Sequence, residues 1–315
     1  MNPGKPVPVT PVLTIGTRGS PLALAQAQET RQRLLLAHPA LREAEIVVRV
    51  IKTTGDRIQD RSLADSGGKG LFTKEIEDAL LDGSIDLAVH SMKDMPTKLP
   101  EGLTIAAYLP REDVRDVLLA LKPTTLAGLP QGATVGTASL RRKAFLLARR
   151  PDLSVVTFRG NVQTRLRKLE DGNVAATFLA LAGLHRLKIA PPGMQVLSPE
   201  EMLPAVAQGA IGIECREDDA RVRDFLAPLD DAPTRLRAEA ERALLAALDG
   251  SCRTPIAALA EIDNGHMRLR AAIARPDGTE LMETERDGAA GEGIALGADA
   301  GAELRRRIGP DFFTP

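Results

Sequence analysis

The stretch Ile85-Asp-Leu-Ala-Val-His-Ser-Met-Lys-Asp-Met-Pro96 contains an apolar run that ends abruptly at a lysine beside an aspartate. Its first part, Ile85–His90, is short and apolar, which predicts a buried strand. The segment just before it, residues 73–82, carries apolar residues at helical spacing and is followed by glycine, which predicts a helix. Because ligands bind beyond the carboxyl ends of strands in open α/β sheets, Lys93 and Asp94 are candidate site residues.

The same alternation of strands and helices runs through the first two-thirds of the chain. The predicted strands are Val12–Ile15, Glu45–Lys52, Ile85–His90, Ala133–Gly136, Ser154–Phe158 and Ala175–Leu181. Residues 203–215 are predicted to form a turn or short helix and then a further strand. A helix is predicted to begin at Ser20-Pro21, with serine as the N-cap and proline at the first helical position. Strands that alternate with helices indicate mainly parallel sheets, so this part of the chain is predicted to be α/β.

The last part of the chain has a different pattern. An amphipathic helix is predicted over residues 236–247, followed by strands at Ile256–Ile262, Met267–Arg275 and Glu280–Arg286 and a final helix near 293–308. Three strands joined by short turns indicate an antiparallel sheet. We therefore predict a small C-terminal α+β domain.

The composition narrows the class of protein. With 315 residues the chain is long enough for two or three domains. A net charge of −1, 3% aromatic residues and no tryptophan give little means of binding nucleic acid. No apolar run has membrane-spanning length, and the first residues lack the apolar core of a signal peptide. Only two cysteines, Cys215 and Cys252, are present, which is typical of a reduced cytoplasmic protein.

Cationic residues follow five of the predicted strands. They are Arg18, Lys93, Arg141 with Arg142, Arg159 with Arg165, and Arg186. Several of these positions also open a helix, whose first N–H groups attract anions. Any one of these arginines could be an ordinary surface residue. Together, at equivalent ends of two sheets, they predict a cleft that binds a ligand with many carboxylate or phosphate groups.

For three other residues, the sequence allows both a functional and an ordinary structural interpretation. Asp94 would be a negative charge in a basic site, which suits a reaction that develops positive charge, although a structural Lys-Asp turn is the alternative. Cys252 stands beside Arg253 and could ionise as a nucleophile, or could be an ordinary loop cysteine. Lys69 follows two glycines but lacks the spacing of a phosphate-binding loop. His90 lacks partners at metal-ligand spacing, so no metal site is predicted.

Seven motifs in order make the chain resemble the hydroxymethylbilane synthases, also called porphobilinogen deaminases. The motifs are Thr17-Arg-Gly-Ser-Pro-Leu-Ala23, Gly67-Gly-Lys-Gly-Leu-Phe-Thr-Lys-Glu75, Ala88-Val-His-Ser-Met-Lys-Asp94, Gly136-Thr-Ala-Ser-Leu-Arg-Arg142, Phe158-Arg-Gly-Asn-Val162, Ala182-Gly-Leu-His-Arg-Leu187 and Gly250-Ser-Cys252. The resemblance extends from about Val12 to the C-terminal helix. It covers nearly the whole chain.

The resemblance implies a fold and an activity. The fold would be two α/β lobes like those of periplasmic binding proteins plus the C-terminal α+β domain, divided as residues 1–110 with 206–228, residues 111–205, and residues 229–315. The activity would be that of a transferase of tetrapyrrole (heme) biosynthesis, which joins four porphobilinogen molecules into linear hydroxymethylbilane and releases ammonia at each step. The family further implies a monomer, while the composition predicts a cytoplasmic protein with neither nucleic-acid nor membrane partners.

The resemblance also assigns residues. Asp94 matches the family's catalytic aspartate, and Cys252 matches the cysteine that carries a dipyrromethane cofactor through a thioether. Residues that match cofactor contacts are Lys93, Asp94, Thr137, Ser139, Arg141 and Arg142. Residues that match contacts to the porphobilinogen chain are Arg18, Ser20, Lys69, Arg159, Arg165 and Arg186. Two positions depart from the family pattern, Ala138 where serine is common and Ala207 where glycine is common.

Three rival interpretations stay open at this level. A solute-binding protein of the same two-lobed shape would explain the arginines but not Cys252. A nucleic-acid-binding protein would use the basic clusters but lacks aromatic residues for stacking. An inactive relative, in which Ala138 prevents cofactor assembly, would keep every motif.

Overall fold

A computed structural model describes residues 11–57, 73–250 and 254–314 of the chain. In chain order the strands and α-helices are β1 Leu13–Thr17, α1 Pro21–Ala37, β2 Ile46–Val50, α2 Thr54–Arg57, α3 Lys74–Leu81, β3 Leu87–Ser91, β4 Leu103–Tyr108, β5 Asp116–Ala120, β6 Thr134–Gly136, α4 Leu140–Arg149, β7 Ser154–Val156, α5 Val162–Glu170, β8 Ala176–Ala180, α6 Leu181–Leu187, β9 Met194–Val196, β10 Ile211–Arg216, α7 Ala220–Leu226, α8 Ala232–Ala247, β11 Ile256–Asp263, β12 His266–Ala274, β13 Leu281–Ala289 and α9 Gly293–Arg307.

Two of the sheets have five strands and the same topology. The first has the order β2-β1-β3-β10-β4, and the second has the order β7-β6-β8-β5-β9. In each, the first three strands are parallel and the fourth is antiparallel to both of its neighbours. The prediction of α/β lobes is confirmed. The antiparallel fourth strand, in both lobes, does not follow from an alternating βα pattern.

The chain crosses between the lobes twice. One crossing lies between β4 and β5, over residues 109–115, and the other lies between β9 and β10, over residues 197–210. These two segments form the hinge between the lobes, and the cleft between the two sheets lies beside it. The segments that follow β3 in the first sheet and β6 and β8 in the second are among those in which the sequence places candidate site residues.

Local signals place the helices that border the cleft. Ser20 caps α1 by accepting a hydrogen bond from the Ala23 amide at 3.2 Å, as its position before Pro21 predicts. Ser139 caps α4, and Asn161 caps α5. The predicted helix over residues 73–82 is α3, and Gly83 follows it with φ 75°, a value that ends a helix at low cost for glycine.

The third sheet is the predicted antiparallel one, with the order β11-β12-β13. The helices α8 and α9 cover one of its faces, and α9 approaches α8 closely because Gly297 leaves no side chain against the Ala240 carbonyl. The opposite face, through Ala257, Leu259, Ala272 and Ala274, joins the core of the second lobe. The C-terminal domain is therefore packed against the lobes.

Three strands escaped the sequence analysis: β4, β5 and β9. They lie in the stretches that lead into or out of the hinge. Within the described residues, no helix is long and apolar enough to cross a membrane.

Candidate active site

Charged residues from both lobes meet at the cleft. Lys93 and Asp94 follow β3 in the first lobe, while Arg141 and Arg142 open α4 in the second. The pKa of Lys93 responds to Asp94, Arg142, Asp116 and Arg141, so these groups are close enough to interact across the lobes. The strand-end residues that the sequence singles out are thus brought together from distant parts of the chain.

Lys93 is a half-buried cation. Burial lowers the pKa of Lys93 to about 8, and the nearby carboxylate of Asp94 offsets part of that effect. Among the described residues, the Lys93 ammonium group donates no hydrogen bond. Its three donor positions are therefore available for an anionic group in the cleft.

Asp94 is exposed at the end of the 3₁₀ turn Met92–Asp94. Arg165 of α5 is its electrostatic neighbour in the second lobe. Burial and the charges of Arg142 and Arg159 together lower the pKa of Arg165 to about 10, and the charge of Asp94 opposes part of that shift. Asp94 is therefore a negative charge facing a group of cations, as the sequence predicts.

Arg141 and Arg142 both donate hydrogen bonds to one buried aspartate, Asp116. Asp116 accepts a hydrogen bond from Arg141 Nη2 at 2.6 Å and another from Arg142 Nη2 at 2.7 Å. The other terminal nitrogens donate to backbone, Arg141 Nη1 to the Leu203 carbonyl and Arg142 Nη1 to the Phe178 carbonyl. Burial by itself would raise the pKa of Asp116, but the two guanidinium charges outweigh it and lower that pKa. The trio carries a net charge of +1.

Three arginines of the candidate site keep a buried donor without a partner, as does Arg270 of β12 outside it. The Nε atoms of Arg141, Arg142 and Arg159 are shielded from solvent and make no hydrogen bond within the described residues. An unpartnered buried donor is costly, so such a group is expected to meet an acceptor when the site is filled. A cofactor that carries carboxylates, as dipyrromethane does, fits these donors.

The hydroxyl oxygens of Thr137 and Ser139 accept hydrogen bonds from nearby backbone amides, as that of Ser20 does at the start of α1. Thr137 Oγ1 accepts from the Ser139 amide at 3.1 Å, and Ser139 Oγ accepts from the Arg142 amide at 3.3 Å. These bonds use the oxygen lone pairs and leave each hydroxyl hydrogen able to donate. The exposed Ala138 lies between Thr137 and Ser139 and offers no such donor.

Arg186 lies at a different place from the other arginines. Its Nη2 donates to the Gly209 carbonyl at 2.9 Å and its Nε to Glu29 of α1 at 3.4 Å, with only 8% of the side chain exposed. Burial lowers the pKa of Arg186, and Glu29 and Glu112 oppose that shift. In this arrangement Arg186 ties α6 to the first lobe and the hinge. Its predicted contact with the pyrrole chain stays a prediction.

Lys69, Cys252 and Arg18 complete the set of predicted site residues. Lys69 and Cys252 lie outside the described residues. Arg18 follows β1 and is half-buried. His90, expected to face its strand neighbours, is buried on β3 and bonds Glu214 of β10 through Nε2 at 2.9 Å. In the described ranges no three His, Cys, Asp or Glu side chains are grouped as metal ligands would be.

Two residues of the site were missed by sequence reasoning: Asp116 and Gln208. Both are buried, and Gln208 Nε2 donates to Asp116 at 2.9 Å. The available signal was a charged residue at the start of the apolar run Asp116–Ala120, because a carboxylate is seldom buried without a partner. That signal marks the residue but does not identify the partner.

Fold and site together define a two-lobed α/β protein in which Lys93 and Asp94 of one lobe lie near arginines of the other. A family described as "Porphobilinogen deaminase, dipyromethane cofactor binding domain" matches residues 13–224, and "Porphobilinogen deaminase, C-terminal domain" matches residues 235–306. The chain belongs to the porphobilinogen deaminase family.

Individual relatives agree over nearly the full length. The porphobilinogen deaminase of Paracoccus denitrificans is 60% identical over 308 residues, which cover 98% of each chain. The chloroplastic porphobilinogen deaminase of Oryza sativa subsp. japonica is 56% identical over 306 residues, which cover 96% of this chain and 86% of that protein. Among solved structures, a periplasmic binding protein of Salmonella typhimurium with high arginine specificity matches at 14% identity and a TM-score of 0.40, over 71% of this chain and 93% of that one. That last likeness is weak, and the lobes are defined by their own strand order.

Proposed function

We propose a division of roles for the polymerisation of porphobilinogen to hydroxymethylbilane, the reaction of this transferase family. The observation that carries the proposal is the cleft in which Lys93 and Asp94 of one lobe face the arginines of the other. Porphobilinogen carries an acetate and a propionate, so each added pyrrole brings two carboxylates. Lys93, Arg141, Arg142, Arg159 and Arg165 supply the matching cations.

Asp94 has the catalytic role in this proposal. Loss of ammonia from porphobilinogen leaves a cationic pyrrole, and a carboxylate close to the pyrrole nitrogen stabilises that charge. Lys93 serves the opposite purpose, because its ammonium group binds a carboxylate of the same ring. The two neighbouring residues therefore separate the charges of one substrate.

Thr137, Ser139, Arg141 and Arg142 would hold the dipyrromethane cofactor, with Lys93 and Asp94 beside it. When bound, dipyrromethane supplies the end of the chain to which new pyrroles are added. Arg18, Ser20, Lys69, Arg159, Arg165 and Arg186 are proposed to bind the incoming and growing pyrroles. The unpartnered Nε atoms of Arg141, Arg142 and Arg159 support this assignment.

Cys252 is the proposed attachment point. The chain has two cysteines, and the other one, Cys215, is buried in β10. Burial raises the pKa of Cys215 to about 11, so its thiol is a poor nucleophile at neutral pH. Cys252 follows α8 in the sequence and is the remaining candidate.

An intact mass of the denatured protein tests both the function and the anchor. We expect an added mass of two linked pyrroles, on the peptide that contains Cys252, and formation of hydroxymethylbilane from added porphobilinogen. Cys252→Ala should abolish the added mass, whereas Cys215→Ala should retain it. An unmodified wild-type chain that also ignores porphobilinogen would refute the function, and a modified Cys252→Ala chain would move the anchor elsewhere.

We also propose the domain limits 1–110 with 206–228, 111–205 and 229–315, and a cytoplasmic monomer without nucleic-acid or membrane partners. The two crossings at residues 109–115 and 197–210 support the limits. The small net charge supports the absence of nucleic-acid partners. Light scattering of the purified protein would test the monomer.

A further inference from the structure

A buried run of hydrogen bonds connects the C-terminal domain to the arginine pair of the cleft. At one end, Glu241 of α8 accepts from both Nη atoms of Arg111, at 2.7 and 3.0 Å. Arg111 Nε donates to the Gln208 carbonyl at 2.9 Å. Arg111 belongs to one crossing between the lobes and Gln208 to the other, so this part of the run joins both hinge segments.

The side chain of Gln208 continues the run into the second lobe. Its Nε2 donates to the Val114 carbonyl at 2.7 Å and to Asp116 Oδ1 at 2.9 Å. The opposite amide orientation would place the Gln208 oxygen against two other oxygens, so the two acceptors determine which way the amide lies. Asp116 then holds Arg141 and Arg142 by one bond each.

The bonds to Asp116 leave the arginine pair little freedom. Both Nη atoms of each arginine donate to Asp116 or to a backbone carbonyl, and these two bonds fix the orientation of each guanidinium plane. The Nε atoms of Arg141 and Arg142 remain without a partner among the described residues. The direction in which these donors point is therefore decided by Asp116 and, through it, by Gln208.

We propose that Asp116 and Gln208 are positioning residues for pyrrole binding: they orient Arg141 and Arg142 and tie that orientation to the hinge. The proposal rests on the proposed function, since it concerns the same cleft. It differs from a simple effect of charge. Asp116 lowers the positive charge of the trio, so charge alone would predict tighter binding of carboxylates when Asp116 is neutralised, whereas orientation predicts weaker binding.

The test compares Asp116→Asn, Gln208→Met and the double variant. We expect KM for porphobilinogen to rise about tenfold in Asp116→Asn, because each arginine loses a bond to a charged group. Gln208→Met should raise KM in the same direction by less, and the double variant should be no worse than Asp116→Asn, as expected for one connected unit. The fraction of purified chains that carry two pyrrole units, measured by intact mass, should fall in the same order.

The matched control is Asp152→Asn. Asp152 also holds an arginine of the second lobe, Arg150, which donates to it by two bonds of 2.7 Å and to the backbone carbonyls of Leu126 and Leu129. This pair lies away from the cleft residues, so KM and pyrrole loading should stay at wild-type values.

The outcomes separate the two proposals. A wild-type chain with neither turnover nor added pyrrole mass would refute the function itself. Normal wild-type behaviour with an unchanged or lower KM in folded Asp116→Asn would overturn the positioning role. If Asp116→Asn does not fold, Gln208→Met decides alone, because it keeps every charge: a raised KM supports the role and an unchanged KM overturns it.

Discussion

The carboxylate of Glu241 receives both terminal nitrogens of Arg111, and both side chains are almost fully buried. The same carboxylate accepts hydrogen bonds from the backbone amides of Ala207, at 2.6 Å, and Ala260, at 2.9 Å. One side chain of the C-terminal domain thus holds the two segments that cross between the lobes. The hinge is therefore attached to the C-terminal domain through Glu241.

Removing this carboxylate should destabilise the whole protein. Glu241→Ala leaves a buried Arg111 charge and two backbone amides without their acceptor, so we expect unfolding to become easier by about 3–5 kcal/mol. Glu285→Ala is the control, because Glu285 pairs with Arg268 on the surface, where a pair contributes about 1 kcal/mol or less. Urea unfolding of both variants measures the difference. Equal losses would contradict the anchoring role of Glu241.

Lys93 should give the reaction an alkaline limb. With a pKa of about 8, Lys93 loses its charge in the free protein as the pH rises through that value, and a carboxylate then binds less well. We expect kcat/KM for porphobilinogen to fall above about pH 8 and the fall to move to higher pH in Lys93→Arg. An unmoved limb in that variant would assign the titration to another group.

The lowered pKa of Lys93 should also make folding stability depend on pH, and stability should rise over the pH range in which kcat/KM falls. The pKa of Lys93 is lower in the folded chain than the usual value of about 10.4 for lysine. Between these two values the unfolded chain binds more protons, so the contribution of Lys93 to stability rises with pH over that window. Lys93→Met should remove this rise, which thermal unfolding at pH 7.5 and at about pH 10 would show.

Asp94 should matter for turnover and not for folding. Its side chain is exposed, so Asp94→Asn should change the free energy of unfolding by about 0.5 kcal/mol or less. Loss of the negative charge beside the developing cation should lower kcat by about a hundredfold or more. Asp78→Asn, at an exposed aspartate paired with Lys74, is the control for both readings. Near-normal turnover by Asp94→Asn would exclude the proposed catalytic role.

Ala207 is under backbone strain at the hinge. It has φ 56°, a left-handed value that costs a residue with a side chain about 1–2 kcal/mol. Ala207→Gly relieves this strain but also removes a buried methyl group. Ala210→Gly removes a buried methyl group nearby, where φ is not positive, and so provides the comparison. We expect Ala207→Gly to be less destabilising than Ala210→Gly by about 1 kcal/mol, measured by urea unfolding.

Local patterns were sufficient for most elements of the fold. Ser20-Pro21 opens α1 because a serine cap and an N1 proline satisfy the first turn without help from distant residues. The apolar run at Ile85–His90 became β3, shifted by one or two residues. The antiparallel strands β5 and β10 were harder, because their direction is set by where the chain re-enters each sheet after crossing the hinge.

The sequence by itself determined the alternating lobes, the family and the cations at the strand ends, since these depend on residue type and spacing. Only the tertiary structure decided what those cations contact. Arg141 and Arg142 are held by Asp116, while Arg186 is held by Glu29 and the Gly209 carbonyl. The partners of a buried charge come from segments far away in the chain, and no local periodicity encodes which of them will be adjacent.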